Sequence, residues 1–146
     1  IFITLLFSSS TMSAQFIAEL QLEKPVEGIC NMKHIYSLFP MFEGQIEAVC
    51  PITKEQILTR LNSEIQFLKD NPKYKTKGMI GLLINCKGEV VQSEMDTKTK
   101  SKELDKQIEA LFNSLGEWKA GKLDGQSVDS SRLYSFKIKK GKVFFE

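Results

Sequence analysis

The sequence has little of several features that would by themselves assign it to a special class. Its 146 residues include four prolines, nine glycines, one histidine and one tryptophan, and the net charge is only +2. The low proline and glycine content excludes a collagen-like or low-complexity chain, and the small net charge does not favour nucleic acid as a partner. Because no apolar run reaches the roughly 18 residues of a membrane-spanning helix, no integral membrane span is expected.

What is present is typical of one folded domain. Hydrophobic residues make up 42% of the chain and charged residues 26%, with ten Phe, three Tyr and one Trp. This content of apolar and aromatic residues argues against a disordered chain. A length of 146 residues suits a single domain with one core.

The first residues have the pattern of a secretory signal peptide. The apolar run Ile1–Phe7 is followed by small and polar residues up to Ser13, and Ala14-Gln15 has the character of a cleavage point. We expect residues 1–14 to be an incomplete signal peptide, and the mature chain to be exported to the periplasm or secreted. The alternative is that the apolar run forms a buried strand of the domain.

The rest of the chain divides into a lead segment and a domain. Residues 15–50 are irregular and acidic, with one short strand expected within Phe16–Leu22, and should lie across the domain. Helical periodicity begins at Thr53, whose spacing to Gln56 fits a capping box. The elements expected after it are a helix to Lys69, a hairpin around the turn Asn85–Gly88, a helix over Leu104–Leu115, a loop from Trp118 to Ser130 and a hairpin over Ser131–Phe145. This order predicts an α+β domain over residues 51–146, an antiparallel sheet with two helices packed on one face.

Four segments in this order resemble the TonB C-terminal domain. They are the strand–turn–strand Leu82–Val90, the Leu104-Asp105 pair that opens a helix, the loop Trp118–Val128 and the core strand Phe136–Ile138. The loop is similar to the family's Trp-x-Pro-Gly-x-x-x-Gly-x-x-Val signature, with Ala120 in place of the proline. We expect the Trp118 ring to be buried where the second helix meets this loop.

The resemblance implies a non-enzymatic protein-binding module. The family's energy transducers bind a short extended segment of an outer-membrane transporter by adding a strand to a sheet edge. They also carry an N-terminal membrane anchor and a proline-rich spacer, whereas this sequence shows a cleavable-looking leader and no such spacer. A stand-alone, exported member of the family is therefore expected, and the resemblance by itself does not imply energy transduction.

The last hairpin is the candidate binding edge, because it concentrates positive charge. An open edge there would pair with an extended peptide, and the charge would favour an acidic one. The partner-binding residues expected on this basis are Arg132, Lys137, Lys139, Lys142, Val143 and Phe145. Two alternatives remain: the lysines only protect the edge against aggregation, or the acidic lead segment folds back onto the hairpin.

The three cysteines, Cys30, Cys50 and Cys86, should form one disulfide in an oxidising compartment. A strand that returns along the first helix places Cys50 and Cys86 at the same end of the domain. We therefore predict the disulfide Cys50–Cys86, with Cys30–Cys50 as the alternative. No spacing gives a C-x-x-C redox or zinc pair.

Catalytic patterns are weak. Cys30 and His34, four residues apart, could act as nucleophile and base of a small secreted enzyme, but no third group that would orient them is evident. The aspartates are scattered and suggest neither an acid–base pair nor a calcium loop. No catalytic residue, metal or cofactor is expected, and a structural envelope component without a peptide ligand is the remaining alternative.

Overall fold

The computed structural model describes residues 16–146, so the expected signal peptide lies outside the described residues. Within that range the chain is α+β, with three helices and an eight-stranded sheet. The elements are β1 (Ala18–Leu20), β2 (Ile35–Ser37), β3 (Gln45–Ile46), α1 (Lys54–Glu64), α2 (Gln66–Asp70), β4 (Thr76–Ile84), β5 (Val90–Thr97), α3 (Lys102–Asn113), β6 (Gly121–Leu123), β7 (Gln126–Lys139) and β8 (Lys142–Phe145). None of these helices is both long and apolar enough to cross a membrane.

Strand β7 organises the sheet. The main order is β1-β2-β7-β4-β5, while β6 pairs with the start of β7, β8 pairs with its end, and β3 pairs with β6. Among the described strands, only β2 runs parallel to its neighbour β7, so the sheet is not wholly antiparallel as expected. The predicted loop from Trp118 to Ser130 in fact contains β6 and the beginning of β7.

The lead segment is part of the sheet, since it supplies β1, β2 and β3. The expected short strand is confirmed as β1, and the segment supplies two further short strands, β2 and β3, between irregular stretches. Ile35 and Ala48 are fully buried, which fixes the segment against the domain. An ion pair between this segment and the last hairpin joins Glu47 to Arg132 at 3.2 Å. Arg132 is near the residues of β7 that pair with β2, and not near the lysines at the end of β7.

The core lies between the helices and one face of the sheet. The sheet contributes the even-numbered, fully or nearly fully buried positions of β4 and β7: Ile80, Leu82, Ile84, Tyr134, Phe136 and Ile138. Because successive strand residues face opposite sides, the odd-numbered residues of both strands face away from the helices. This second face carries the candidate site described below.

The first helix begins as predicted but is broken. Thr53 and Gln56 form the capping box, with Gln56 N–H donating to Thr53 Oγ1 at 3.1 Å and Thr53 N–H to Gln56 Oε1 at 2.8 Å. The expected single helix to Lys69 is wrong, because Ile65 adopts an extended conformation with ψ 104° and separates α1 from α2. The break is stabilised by α3, whose Gln107 side chain accepts the Phe67 N–H at 3.0 Å.

The disulfide joins Cys30 to Cys86, so the predicted Cys50–Cys86 pair is wrong. The buried carboxylate of Asp129 explains the difference. It accepts backbone N–H groups from Cys30 (3.1 Å), Asn31 (2.7 Å) and Cys86 (2.9 Å), which holds the lead segment against the β4–β5 turn. Cys50 is a free, half-buried thiol, and this burial raises its pKa above the ordinary value.

Candidate functional site: the lysine-lined end of the sheet

The six residues predicted to bind a partner do not form one surface. Lys137 and Lys139 lie on the open face of the sheet and line a cavity. Arg132 is instead engaged by the lead segment, because its guanidinium donates to the Ala48 carbonyl at 2.8 Å as well as to Glu47. Val143 belongs to the core, Phe145 packs on Tyr134 with ring centroids 5.5 Å apart, and Lys142 is exposed beside the turn.

The edge of β8 is not open at Val143, contrary to expectation. The Val143 N–H donates to Asn62 Oδ1 at 2.8 Å, and the Val143 carbonyl accepts from Asn62 Nδ2 at 3.2 Å. The side-chain amide of Asn62 on α1 thus makes the two hydrogen bonds that a neighbouring strand would make. A partner strand can pair at Val143 only if Asn62 moves away.

Replacing Asn62 with Ala is expected to lower the free energy of unfolding by about 1–2 kcal/mol, because two backbone groups lose their partner. Hydrogen exchange of the Val143 amide should become faster. Ser63→Ala is the matched control, since the Ser63 hydroxyl bonds only carbonyls of its own helix. An Asn62→Ala protein with unchanged urea midpoint and unchanged Val143 exchange would contradict this role of the amide.

The other long edge, β5, is also covered. Of the described strands, β5 pairs with β4 alone, but its Met95 N–H donates to Glu109 Oε1 on α3 at 3.0 Å. Near its start, Gly28 of the lead segment lies so close to Val91 that a Cβ there would be 2.8 Å from the valine side chain. Side chains and the lead segment thus cover parts of the β8 and β5 edges, which is how native sheets avoid unwanted pairing.

The clearest candidate site is a cavity of about 570 Å³ at the end of the sheet where β4 begins and β7 ends. We call it the lysine cavity, because six of the eight residues that line it are lysines: Lys75, Lys77, Lys98, Lys100, Lys137 and Lys139, with Thr76 and Ile138. Its volume is within the range of small-ligand sites. Further along the open face the lead segment covers the sheet, where Leu20 and Leu22 border a second cavity beside Leu133.

The lysine cavity concentrates charge of one sign. Lys77 lies directly opposite Lys137 in the β4–β7 register, an arrangement of like charges that destabilises a sheet. The residues that line the cavity include no carboxylate. Among the described residues, the one ion pair of these lysines joins Lys77 Nζ to Glu146 Oε1 at 3.7 Å. An anionic ligand would therefore relieve a repulsion that the fold leaves largely uncompensated.

Four of the six cavity lysines are missing from the sequence-based prediction. Lys75 directly precedes β4, Lys77 is its second residue, and Lys98 and Lys100 follow β5. Lys75 and Lys77 have the two-residue spacing that places side chains on the same side of an extended chain, and Lys98 and Lys100 have the same spacing in the loop after β5. This spacing is the feature from which the sequence could have predicted the additional lysines. The pairing of β4 with β7, which brings Lys77 opposite Lys137, cannot be deduced from composition.

The Cys30–His34 hypothesis loses its nucleophile, because the Cys30 sulfur is bonded to Cys86. His34 Nδ1 is instead 3.0 Å from Glu19 Oε1, and its ring stacks on Tyr36. Sulfur and oxygen atoms of Cys30, Cys86 and Asp129 lie within 4.8 Å of one another. They do not form a metal site here, since both sulfurs are in the disulfide and Asp129 accepts three N–H groups.

The geometry therefore offers a concentrated cluster of positive charge, the lysine cavity, while side chains cover the β8 edge at Val143 and the β5 edge at Met95. A cavity of this kind can hold carboxylates or other anions through charge-assisted hydrogen bonds. Comparison of the chain with family models, with curated proteins and with solved structures finds no match.

Proposed function

We propose that this chain is an exported, non-enzymatic binding module that holds an acidic, extended peptide segment of a partner protein in the lysine cavity. The observation that carries the proposal is the six lysines that line one cavity without a carboxylate among them. Carboxylates of a bound peptide would form charge-assisted hydrogen bonds with the ammonium groups. They would also reduce the repulsion between Lys77 and Lys137.

The lining favours carboxylates over nucleic acid. No arginine is among the residues that surround this cavity, although arginine is the residue enriched where phosphate is bound in a bidentate manner. No aromatic side chain lines it either, so a base would find no surface on which to stack. Lysines act as point charges and suit the separated carboxylates of an acidic peptide.

Export is supported by two features that are independent of the cavity. Residues 1–14 have the pattern of a signal peptide, and the Cys30–Cys86 disulfide is of the kind that persists in oxidising compartments. The resemblance of residues 51–146 to the TonB C-terminal domain supports a peptide-binding role at the cell envelope. An outer-membrane transporter is one partner that this resemblance suggests.

The mode of binding proposed here uses side chains rather than strand addition at β8. Asn62 already bonds both backbone groups of Val143, whereas the lysine cavity is open. Strand addition at that edge would first have to break two hydrogen bonds. Of the residues predicted from the sequence, Lys137 and Lys139 are retained as binding residues, and Lys75, Lys77, Lys98 and Lys100 are added.

The test measures the affinity of a fluorescein-labelled, glutamate-rich peptide by anisotropy. The double substitution Lys77→Ala and Lys137→Ala should weaken binding at least about fivefold, since each exposed charge contact contributes up to about 1 kcal/mol. Lys106→Ala with Lys122→Ala removes the same charge from exposed positions outside the cavity and should have little effect. Equal weakening by the two double variants would refute the cavity as the site, and a peptide that does not bind would favour a structural role without a ligand.

A further inference from the structure

We infer that the lysine cavity selects peptides whose acidic side chains are two residues apart in an extended conformation. The inference rests on the proposed function and specifies the ligand class of the same site. It follows from how the sheet register places the lysines, because their positions repeat at the spacing of alternate residues in a strand.

Four of the lysines form two rows across β4 and β7. Lys77 is opposite Lys137, and Thr76 is opposite Ile138. Lys75 directly precedes β4 and Lys139 is the last residue of β7, so one further step of the same antiparallel register would place them opposite each other, on the face of the first pair. Since a strand rises about 3.3 Å per residue, the two rows are about 6.6 Å apart.

An extended peptide has the same repeat. Its side chains at positions i and i+2 point to one side and are also about 6.6 Å apart. Two acidic residues at this spacing would therefore reach one lysine row each when the peptide lies along the strands. Two adjacent acidic residues would point to opposite sides, and only one of them could reach the cavity.

The remaining two lysines, Lys98 and Lys100, flank a buried contact. Between Lys98 and Lys100, the Thr99 N–H and hydroxyl both donate to Asp105 Oδ1, at 2.9 Å and 2.6 Å. Thr99 and Asp105 are buried, while Lys98 and Lys100 are exposed. The contact fixes the loop between them, and both lysines line the cavity beside the two rows.

The Lys77–Glu146 ion pair shows that a carboxylate reaches the row nearer the middle of the sheet. The second row consists of Lys75 and Lys139. Within residues 16–146, these two lysines take part in none of the ion pairs. The second row is therefore where an alternating peptide gains its additional contact.

The experiment compares two octapeptides of identical composition against the full chain. One alternates glutamate and threonine, and the other has paired glutamates followed by paired threonines, so that both carry the same charge. The alternating peptide should bind at least about fivefold more tightly, because it engages both rows. Lys75→Ala with Lys139→Ala should abolish this preference, whereas Lys106→Ala with Lys122→Ala should preserve it.

The outcomes separate the inference from the proposed function. Equal affinities for the two peptides, both weakened by Lys77→Ala with Lys137→Ala, would overturn the spacing rule and leave the acidic-peptide function intact. Binding of neither peptide would overturn both. Tighter binding of a single-stranded oligonucleotide, or of vesicles containing phosphatidylglycerol, would show that the cavity serves a different anion and would also overturn both.

Discussion

Replacing Trp118 with Ala is expected to lower the free energy of unfolding by about 3–5 kcal/mol, the range for large aromatic deletions in cores. The indole is only 4% exposed and belongs to the main hydrophobic core, as the sequence predicts. The residue also joins three parts of the chain, because its N–H donates to the Gly88 carbonyl at 3.0 Å and its neighbour Lys119 pairs with Val49. The deletion therefore leaves a cavity where the β4–β5 turn, the lead segment and the end of α3 meet.

The control for this prediction is Trp118→Phe. Phenylalanine retains much of the ring volume and removes the indole Nε1–H, which finds no hydrogen-bond partner among the described residues. We expect Trp118→Phe to cost about 1–2 kcal/mol, less than the alanine effect. Chemical denaturation of both variants gives the comparison, and a midpoint unchanged by Trp118→Ala would show that the ring does not support the core.

The elements that the sequence predicted well are determined by neighbouring residues. In the β4–β5 turn, Asn85 Oδ1 accepts the N–H groups of Lys87 and Glu89, both at 2.9 Å. Gly88 has φ +85°, and a Cβ there would be 2.0 Å from the Trp118 carbonyl oxygen, so the expected glycine is required for two reasons. The capping box at Thr53 is similarly local.

The elements that it predicted poorly depend on distant partners. The helix break at Ile65 is supported by Gln107, and the disulfide follows from the capture of Cys30 and Cys86 by Asp129. The strands of the lead segment have two or three residues each and are formed by pairing within that segment and with β6 and β7. Local propensity gives little signal for strands this short, because their stability comes from the sheet that they join.

The same distinction between local and distant determinants applies to the residues of the candidate site. The positive charge of Lys137 and Lys139 was visible in the sequence, but the four lysines opposite and beside them are brought there by strand register. The sequence analysis places Val143 and Phe145 at a partner-binding edge, although their alternation with exposed neighbours is equally typical of a strand that packs on a core. Which face of a strand is buried depends on the side of the sheet on which the helices pack.

Side chains cover backbone groups at the sheet edges, whereas the lysine cavity is open to a partner. Asn62 and Glu109 each use a polar side chain from a helix to occupy backbone groups at an edge. The backbone is thereby made less accessible to partners, while the face away from the helices keeps its lysines exposed at one end. A partner that recognises the charged side chains on this face can bind without breaking the hydrogen bonds at the sheet edges.

Removing the disulfide with Cys30→Ala and Cys86→Ala is expected to lower the free energy of unfolding by about 4 kcal/mol, the value that the chain-entropy model gives for two residues 56 apart. The bond closes the loop between the lead segment and the β4–β5 turn, so its loss enlarges the unfolded ensemble. The three N–H groups should still bond Asp129 in the native state. Hydrogen exchange in Ile35–Ser37 should become faster, since β2 is joined to β7 beside this point.

Cys50→Ala is the matched control, because Cys50 is the free cysteine and should lose much less stability on substitution. Peptide mapping without reductant identifies the bond directly, and a peptide that joins Cys30 to Cys86 is expected. A Cys50–Cys86 or Cys30–Cys50 peptide would contradict the pairing. If the double variant unfolded at the same denaturant concentration as the Cys50→Ala control, the crosslink would not be what holds the lead segment to the domain.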